Sequence, residues 1–533
     1  MQEAVSQVVS GKAKPVTKGK SKAVEISPGQ WAQYGLQSSD SILAFLIDFG
    51  DQIDPRFPSA PAGPQHNQIP QPDRSTDNAT YWVPDFSTNH YKDMFFGAGE
   101  SMTSLYEEMS SGRYTVDGDV SDWVTVPYNS ASYGETESQT DMTRFIQDSA
   151  NAWYDQQKAA GKTDAEITAY LASFDKWDRY DYDKDGNFDE PDGYIDHFQA
   201  VHAGEGEEAG APSSAIWSHR WAVGQRSGGG PAWNKIGGIK IGNTDLWIRD
   251  YTTEPENGGL GVFAHEYAHD LGLPDLYDTS GGENGTGFWT LMSSGSWLGH
   301  GKDTIGTTPN HMGAWEKLML GWLDYTEVAA DQKATLMLGP STHATKKSQA
   351  LIVTLPVDAN GKSRYYIAEN RQYLSYDATL QTGPYNFGWL NTKPNWVEHF
   401  PYQNGLLVTY WNTAVSNNNT RQHPGSGRVL PVDARAKALT WSDGVVARNR
   451  IQTFDATFGT EATDPISLHR ETAAGMTTLS VPSQAPIAVF DDSDPNAYYD
   501  DANPMGSVKV AGVGVMIKVV QSNSTGKMTV RVN

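Results

Sequence analysis

The stretch VFAHEYAHDLGLPDLYD, residues 262–278, contains the pattern that decides the fold and the chemistry of this chain. His265 and His269 are four residues apart, and side chains at that spacing lie on one face of a helix. Their ring nitrogens can then bind one metal ion at about 2.0–2.1 Å. Glu266 follows the first histidine, where it can hold a metal-bound water and take its proton, the general-base role in zinc peptidases.

The residues after this pair indicate how a third ligand is supplied. Gly272 permits a sharp turn after the helix, because glycine adopts positive φ at little cost. That turn can bring Asp275 back towards the histidines and leave a fourth position for water, with Asp278 as a nearby competitor. The alternative is a helix whose two histidines cap it or line a core. The combination of glycine, aspartate and a downstream methionine favours the metal site.

The composition of the 533 residues indicates a folded chain of several domains. This length exceeds one ordinary core, so we expect about two to four domains. Apolar residues make up 38% and aromatic residues 11%, which is enough to build cores and excludes a disordered protein. The formal net charge of −24 repels nucleic acid and anionic membranes, so neither partner is expected.

The absence of cysteine limits the chemistry further. Disulfides, thiolate zinc sites and cysteine nucleophiles are excluded, and a secreted bacterial protein stabilised by metal ions fits instead. No stretch approaches the roughly 18 apolar residues that a membrane helix requires, so membrane insertion is not expected. The polar start of the chain lacks the apolar core of a signal peptide.

Local patterns predict helices in the first half of the chain and short strands in the second. The near-continuous apolar run 41–50 predicts a buried strand. Residues 140–161 and 163–177 predict helices, and Thr163 with Glu166 forms a capping box at the start of the second. After residue 325, short apolar runs separated by turn residues predict sheets, and the end of the chain predicts two strands of the kind that complete a β-sandwich.

These changes of pattern divide the sequence into four expected parts. They are a flexible polar leader at 1–39, a catalytic domain at 40–325, a β-rich region packed on it at 326–440 and a C-terminal β-sandwich-like domain at 441–533. The boundary near 325 marks the change to short strand patterns.

The segment DYDKDGNFDEPD, residues 181–192, has the spacing of a calcium-binding loop. Oxygen-bearing side chains alternate along it, and Gly186 allows the tight turn. The expected Ca²⁺ ligands are Asp181, Asp183, Asp185, Asn187, Asp189 and Asp192. The last position is Asp rather than the usual Glu, and a strand pattern follows, so the prediction is an EF-hand-like loop with a structural ion. The alternative is a solvated acidic turn.

The histidine motif of residues 265–275 resembles that of a known family. HEYAHDLGLPD (265–275) resembles the extended motif HExxHxxGxxH/D of the metzincin clan, and its aspartate form followed by LYD is similar to the M6 family, the immune inhibitor A-like metallopeptidases of bacteria. Similar segments extend the resemblance over about residues 40–470. It implies an α+β fold: a metzincin-like catalytic domain with a twisted mixed sheet and an active-site helix, followed by a β-rich, sandwich-like accessory region.

The resemblance also implies roles for single residues. Zn²⁺ is assigned to the two histidines and Asp275, and GFWTLMSSGSWLG (287–299) is the counterpart of the Met-turn, in which Met292 forms a hydrophobic floor under the metal. For Met292 the alternative is ordinary core packing. Many metzincins have histidine as third ligand, and some have a tyrosine where this chain has Ser294, so no tyrosine role carries over. No segment long enough for the family's propeptide precedes residue 40, so a mature form is expected.

The sequence therefore predicts a secreted, extracellular bacterial zinc endopeptidase that hydrolyses peptide bonds in proteins through a zinc-bound water activated by Glu266. Its partners are protein or peptide substrates, and the β-rich region is expected to meet surface or glycoprotein targets. One alternative is a calcium-dependent binding or adhesion protein with a vestigial peptidase site. Another is a hydrolase of a non-protein amide or a glycoprotein. The intact ligands and base favour the peptidase.

Overall fold

The computed structural model describes residues 1–225, 228–282, 285–301, 304–342, 348–389, 392–523 and 526–533. The described chain is mixed α+β and divides into two compact units. The first unit comprises residues 1–72, 81–107 and 113–272, and the second comprises 73–80, 108–112 and 273–533. Among the described residues, no helix is both long and apolar enough to cross a membrane.

Up to Gly272 the chain contains ten strands and seven α-helices among the described residues. The strands are β1 Val16–Lys18, β2 Ser21–Ser27, β3 Gln30–Gln33, β4 Ser39–Gln52, β5 Thr115–Tyr128, β6 His197–His202, β7 His219–Ala222, β8 Ile239–Lys240, β9 Trp247–Ile248 and β10 Asp250–Pro255. The helices are α1 Gln2–Val9, α2 Thr88–Phe96, α3 Met102–Met109, α4 Ala131–Gly134, α5 Gln139–Ala159, α6 Asp164–Leu171 and α7 Leu260–Asp270. The capping box of Thr163 and Glu166 is present at the start of α6.

A five-stranded mixed sheet organises the first unit, with strand order β5-β4-β6-β10-β7. Four strands are parallel, and β7 runs antiparallel at the edge beside β10. Residues 41–49 of β4 are all buried, as expected of a strand covered on both faces, which confirms the strand predicted at 41–50. On one face Phe45 stacks on Trp153 of α5, with ring centroids 4.9 Å apart. Helix α7 follows β10 directly in the chain.

The first 39 residues differ from the flexible polar leader expected from the sequence. They form α1 and a three-stranded antiparallel sheet of β1, β2 and β3. Ala4, Val24 and Ala32 are buried together in a small apolar cluster. Three short strands need only these few apolar side chains, so the polar composition of the segment hid the sheet. The prediction of an unstructured leader is wrong.

The chain after Gly272 is dominated by strands. These are β11 Tyr325–Ala329, β12 Ala334–Leu338, β13 Ala350–Thr354, β14 Arg364–Arg371, β15 Tyr385–Asn386, β16 Glu398–His399, β17 Gly405–Asn412, β18 Val429–Pro431, β19 Ile466–Thr472, β20 Gly475–Val481, β21 Val489–Asp491, β22 Met516–Ser522 and β23 Met528–Val532. The helices are α8 Ala314–Met319, α9 Thr379–Thr382 and α10 Asn449–Gln452.

Two sheets build the main core of the second unit, one ordered β11-β13-β14-β17-β18 and the other β12-β23-β22-β21. Side chains of both sheets share one buried cluster, as in a sandwich. The separate domain expected at 441–533 is wrong, because β12 from the preceding part pairs with the final strand, with Ala334 opposite Val532. A pairing across so much sequence leaves no local signal.

The division of the chain also differs from the boundary expected near 325. The first unit ends at Gly272, and the short segments 73–80 and 108–112 belong to the second. Asn78 illustrates why, since its side chain donates to the carbonyl of Val397 at 3.0 Å and accepts from the Val397 amide at 2.7 Å. Two short excursions of the chain therefore take part in the β-rich unit.

Candidate metal centre

Helix α7 carries the two predicted histidine ligands and is itself deeply buried. Apart from His269, which is half-buried, all its residues are buried. Burial of the polar side chains on this helix requires partners for them within the protein. Tyr106 donates to the carbonyl of Ala264 at 2.7 Å, and the hydroxyls of Tyr114 and Tyr267 lie 2.5 Å apart. The helix is therefore held along its length.

The two histidines meet as their spacing predicts. The Nε2 atoms of His265 and His269 are 3.1 Å apart, and their rings are nearly perpendicular, at 88°. Two nitrogens bound tetrahedrally to one zinc at about 2.0–2.1 Å lie about 3.3 Å apart, so the pair is already spaced for one ion. Glu266 lies beside them on the helix and is buried, with 6% of its surface exposed.

The turn after α7 distinguishes the two candidate third ligands. Gly272 has φ of 98°, the left-handed conformation that the motif requires. Within the short stretch 265–275, ligand atoms of His265, His269 and Asp275 lie within 4.8 Å of one another. The carboxylate of Asp278 instead accepts the Ser280 amide at 2.8 Å and the Arg421 amide at 2.7 Å. The donor set of two imidazoles and one carboxylate suits zinc with an open fourth position.

Met292 is fully buried, as either interpretation of the sequence requires. Its carbonyl accepts the amide of Leu276 at 2.9 Å, which ties this turn to the residue after Asp275. Its own amide donates to the hydroxyl of Thr290 at 3.1 Å. Ser294, at the position where some metzincins have tyrosine, is buried. The role of Met292 as a floor under a metal stays a prediction.

The acidic loop groups its carboxylates differently from the expected template. Two sets have oxygens within 4.8 Å of one another: the first is Asp178, Asp181 and Asp183, and the second is Asp183, Asp185 and Glu190. Asp178 and Glu190 were absent from the sequence prediction. Glu190 was one residue from a template position, whereas Asp178 precedes the loop, so no spacing rule pointed to it.

Three predicted calcium ligands have other partners. Asn187 donates to Glu190 at 2.6 Å, and Asp189 pairs with Lys20 at 3.6 Å. Asp192 accepts the Tyr194 amide at 3.0 Å. Burial raises the pKa of Asp192 to about 8. The structure therefore groups Asp181, Asp183 and Asp185 with carboxylates that the sequence did not predict. The other predicted ligands, Asn187, Asp189 and Asp192, lie outside both groups.

Comparison with known families is consistent with this arrangement. Residues 29–323 match the family model described as immune inhibitor A peptidase M6, catalytic domain, and residues 359–530 match the immune inhibitor A-like metallopeptidase VEG domain. Because the first match alone covers more than half of the chain, the chain belongs to the M6 family of immune inhibitor A-like peptidases.

Individual relatives are similar to part of the chain. Immune inhibitor A of Bacillus thuringiensis subsp. alesti is 36% identical over 316 residues, which is 55% of this chain and 42% of the relative. Pre-pro-metalloprotease PrtV of Vibrio cholerae serotype O1 (strain M66-2) is 33% identical over 356 residues, which is 61% of this chain and 35% of the relative. The chain thus spans less than half the length of these relatives.

Proposed function

We propose that this protein is a secreted zinc-dependent endopeptidase that hydrolyses peptide bonds in proteins. The observation that carries the proposal is the approach of His265, His269 and Asp275 to within 4.8 Å beside a buried glutamate. Membership of a peptidase family and a relative named as a metalloprotease support it. A metzincin-like fold of the catalytic part, with Met292 in the Met-turn, belongs to the same proposal.

In the proposed mechanism, His265, His269 and Asp275 hold the zinc ion. When bound, zinc supplies a Lewis acid that polarises the scissile carbonyl and lowers the pKa of water to about 7. Glu266 takes the proton from the attacking water and later delivers it to the leaving amine. Glu266 is itself buried, with 6% of its surface exposed, and no side-chain nucleophile is needed.

We also propose one structural Ca²⁺ ion at the acidic loop, bound through Asp183 and the carboxylates grouped with it. Hard oxygen ligands on a tight turn suit calcium, and the ion would neutralise several like charges at once. Without it, mutual repulsion disfavours the closed loop. Protein or peptide substrates and an extracellular location complete the proposal, while surface or glycoprotein targeting through the β-rich unit stays a prediction.

The proposal is tested by measuring zinc content and casein cleavage for the native chain and for Glu266→Ala. Both proteins are expected to hold one zinc per chain, and only the native chain should cleave casein, with cleavage abolished by a zinc chelator. The loss on removing the base is expected to be on the order of 10²–10⁴-fold. A native chain that holds zinc but cleaves no protein would instead favour the binding-protein alternative. Equal casein cleavage by Glu266→Ala would mean that Glu266 is not the general base and that the active site lies outside residues 262–278.

A further inference from the structure

Asp270, the last residue of α7 and the neighbour of His269, lies at the centre of a buried ionic cluster. Its Oδ2 accepts from Nη2 of Arg179 at 2.9 Å and lies 2.6 Å from Nδ1 of His197. Its Oδ1 accepts from Nε of Arg220 at 3.2 Å. Burial alone would raise the pKa of Asp270, but these partners hold it well below its usual range. The carboxylate is therefore charged and held from three sides.

Arg179 differs from the other two partners because it also binds the main chain of the helix. Its Nη1 donates to the carbonyl of Asp270, and its Nη2 donates to the carbonyl of Asp196 at 2.7 Å, next to the start of β6. The guanidinium lies 4.3 Å from the ring centroid of Trp177. This stacking fixes the plane of the guanidinium group, so Arg179 connects the end of α7 rigidly to the central sheet.

This contact falls where a helix is weakest. The last four carbonyls of a helix have no partner within it, and a cation at that end also interacts favourably with the helix dipole. His269 lies in this last turn, whereas His265 lies one turn earlier. Loss of the contact should therefore loosen the backbone that carries His269 more than the backbone that carries His265.

We propose that Arg179 is a positioning residue that sets the zinc affinity of the site by fixing His269 through Asp270. The inference rests on the proposed function, because it assumes that His269 binds zinc. Groups outside the ligand set typically change metal affinity by about 10–100-fold when they are removed. We expect a loss of that size for Arg179→Met and a smaller one for Arg179→Lys, which keeps the charge but not the fork of donors.

Arg144→Met provides a matched control in the same unit. Like Arg179, Arg144 donates to a carboxylate, that of Asp54 at 3.2 Å, and to a main-chain carbonyl, that of Ser132. Its guanidinium also lies over an aromatic ring, 4.8 Å from that of Tyr128. None of these partners belongs to α7, so this variant reports the general effect of losing a half-buried arginine.

The experiment measures the zinc dissociation constant of the full chain by competition with a chromogenic chelator. Hydrogen exchange of the amides in the last turn of α7 is measured on the same variants without zinc. Arg179→Met should bind zinc about 10–100-fold more weakly and exchange faster in that turn, with Arg144→Met within about twofold of the native chain in both.

Two results would overturn the inference. One is zinc binding by Arg179→Met within twofold of the native chain, and the other is an equal loss in Arg144→Met, which would mean a general loss of stability. A native chain that binds no zinc would overturn the proposed function and this inference together, and is recognised by the native measurement alone.

Discussion

Helix α7 and the acidic loop 178–192 both carry metal-binding side chains at short intervals, yet they hold them in different ways. The helix is buried and regular, and the Nε2 atoms of its two histidines lie 3.1 Å apart. The loop is partly exposed and turns through positive φ at Asp181, Lys184 and Gly186. We infer that helix geometry sets the spacing of the two histidines, whereas in the loop a cation would offset repulsion between closely grouped carboxylates.

The largest effect is expected from His269→Ala, which removes one of the proposed zinc ligands. Zinc affinity should fall by more than about 100-fold, because groups outside the ligand set already account for 10–100-fold. Calcium binding at the loop should stay unchanged. Chelator competition for zinc and calorimetric titration with calcium would check both, and a matching loss of calcium binding would show that the two regions are not independent.

A pair of loop variants tests which carboxylates bind the cation. Asp183 belongs to both carboxylate groups, whereas Asp189 belongs to neither. Since the number of charged ligands sets calcium affinity, Asp183→Asn should weaken binding by about tenfold or more and Asp189→Asn by no more than about threefold. Calorimetric titration measures both. Equal losses of calcium affinity in the two variants would instead support the ligand set predicted from the sequence, which includes both aspartates.

Alanine substitution of one glycine in each region tests how well that region accommodates an added side chain. Both have positive φ, 98° at Gly272 and 81° at Gly186. A Cβ on Gly272 would meet Met1 at 3.6 Å, an ordinary contact, whereas one on Gly186 would meet the Trp31 ring at 2.7 Å. Gly272→Ala should therefore cost about 1–2 kcal/mol in the free energy of unfolding, and Gly186→Ala more than that. Denaturant unfolding checks the order, and the reverse order would contradict the packing described.

A further effect is a pH dependence of stability at the end of α7. Burial lowers the pKa of His197, but Asp270 and Asp40 outweigh it and raise the pKa to about 9. His197 thus stabilises the fold fully below about pH 6.5, its usual pKa, and this contribution is lost as pH rises through about 9.

The measurement is the free energy of unfolding of the chain in chelator between pH 6 and 9. His197→Asn keeps a donor but cannot titrate, so its free energy should fall less steeply than that of the native chain across this interval. The carboxylates that face His197 are Asp40 at 3.5 Å, Asp270 at 2.6 Å and the neighbouring Asp196, whose pKa burial raises well above its usual value. Parallel slopes for the two proteins would assign the pH dependence to other groups.

The histidine pair and the central strand could be predicted because they follow from regular geometry. Four residues make about one helical turn, so the spacing of His265 and His269 fixes their approach once the helix forms. The apolar run of β4 likewise predicts its burial. The grouping of Asp275 rather than Asp278 with the histidines required the structure, since both aspartates follow the same glycine and the Asp278 carboxylate instead accepts the Ser280 and Arg421 amides.

Features that depend on distant pairing could not be predicted. Asp178 lies close to the carboxylates of Asp181 and Asp183, but its position before the loop follows no regular ligand spacing in the sequence. Pairing of β12 with β23 joins segments separated by much of the second unit. The sheet at the start of the chain has too few apolar residues to stand out from a polar tail. In each case the information lies in contacts rather than in local periodicity.

X-ray absorption at the zinc edge of the loaded native chain shows whether zinc binds at residues 265–275. We expect four light ligands at about 2.0–2.1 Å, with scattering from two imidazole rings, and one imidazole fewer in His269→Ala. A native spectrum without imidazole scattering, or one unchanged in His269→Ala, would mean that zinc does not bind at these residues.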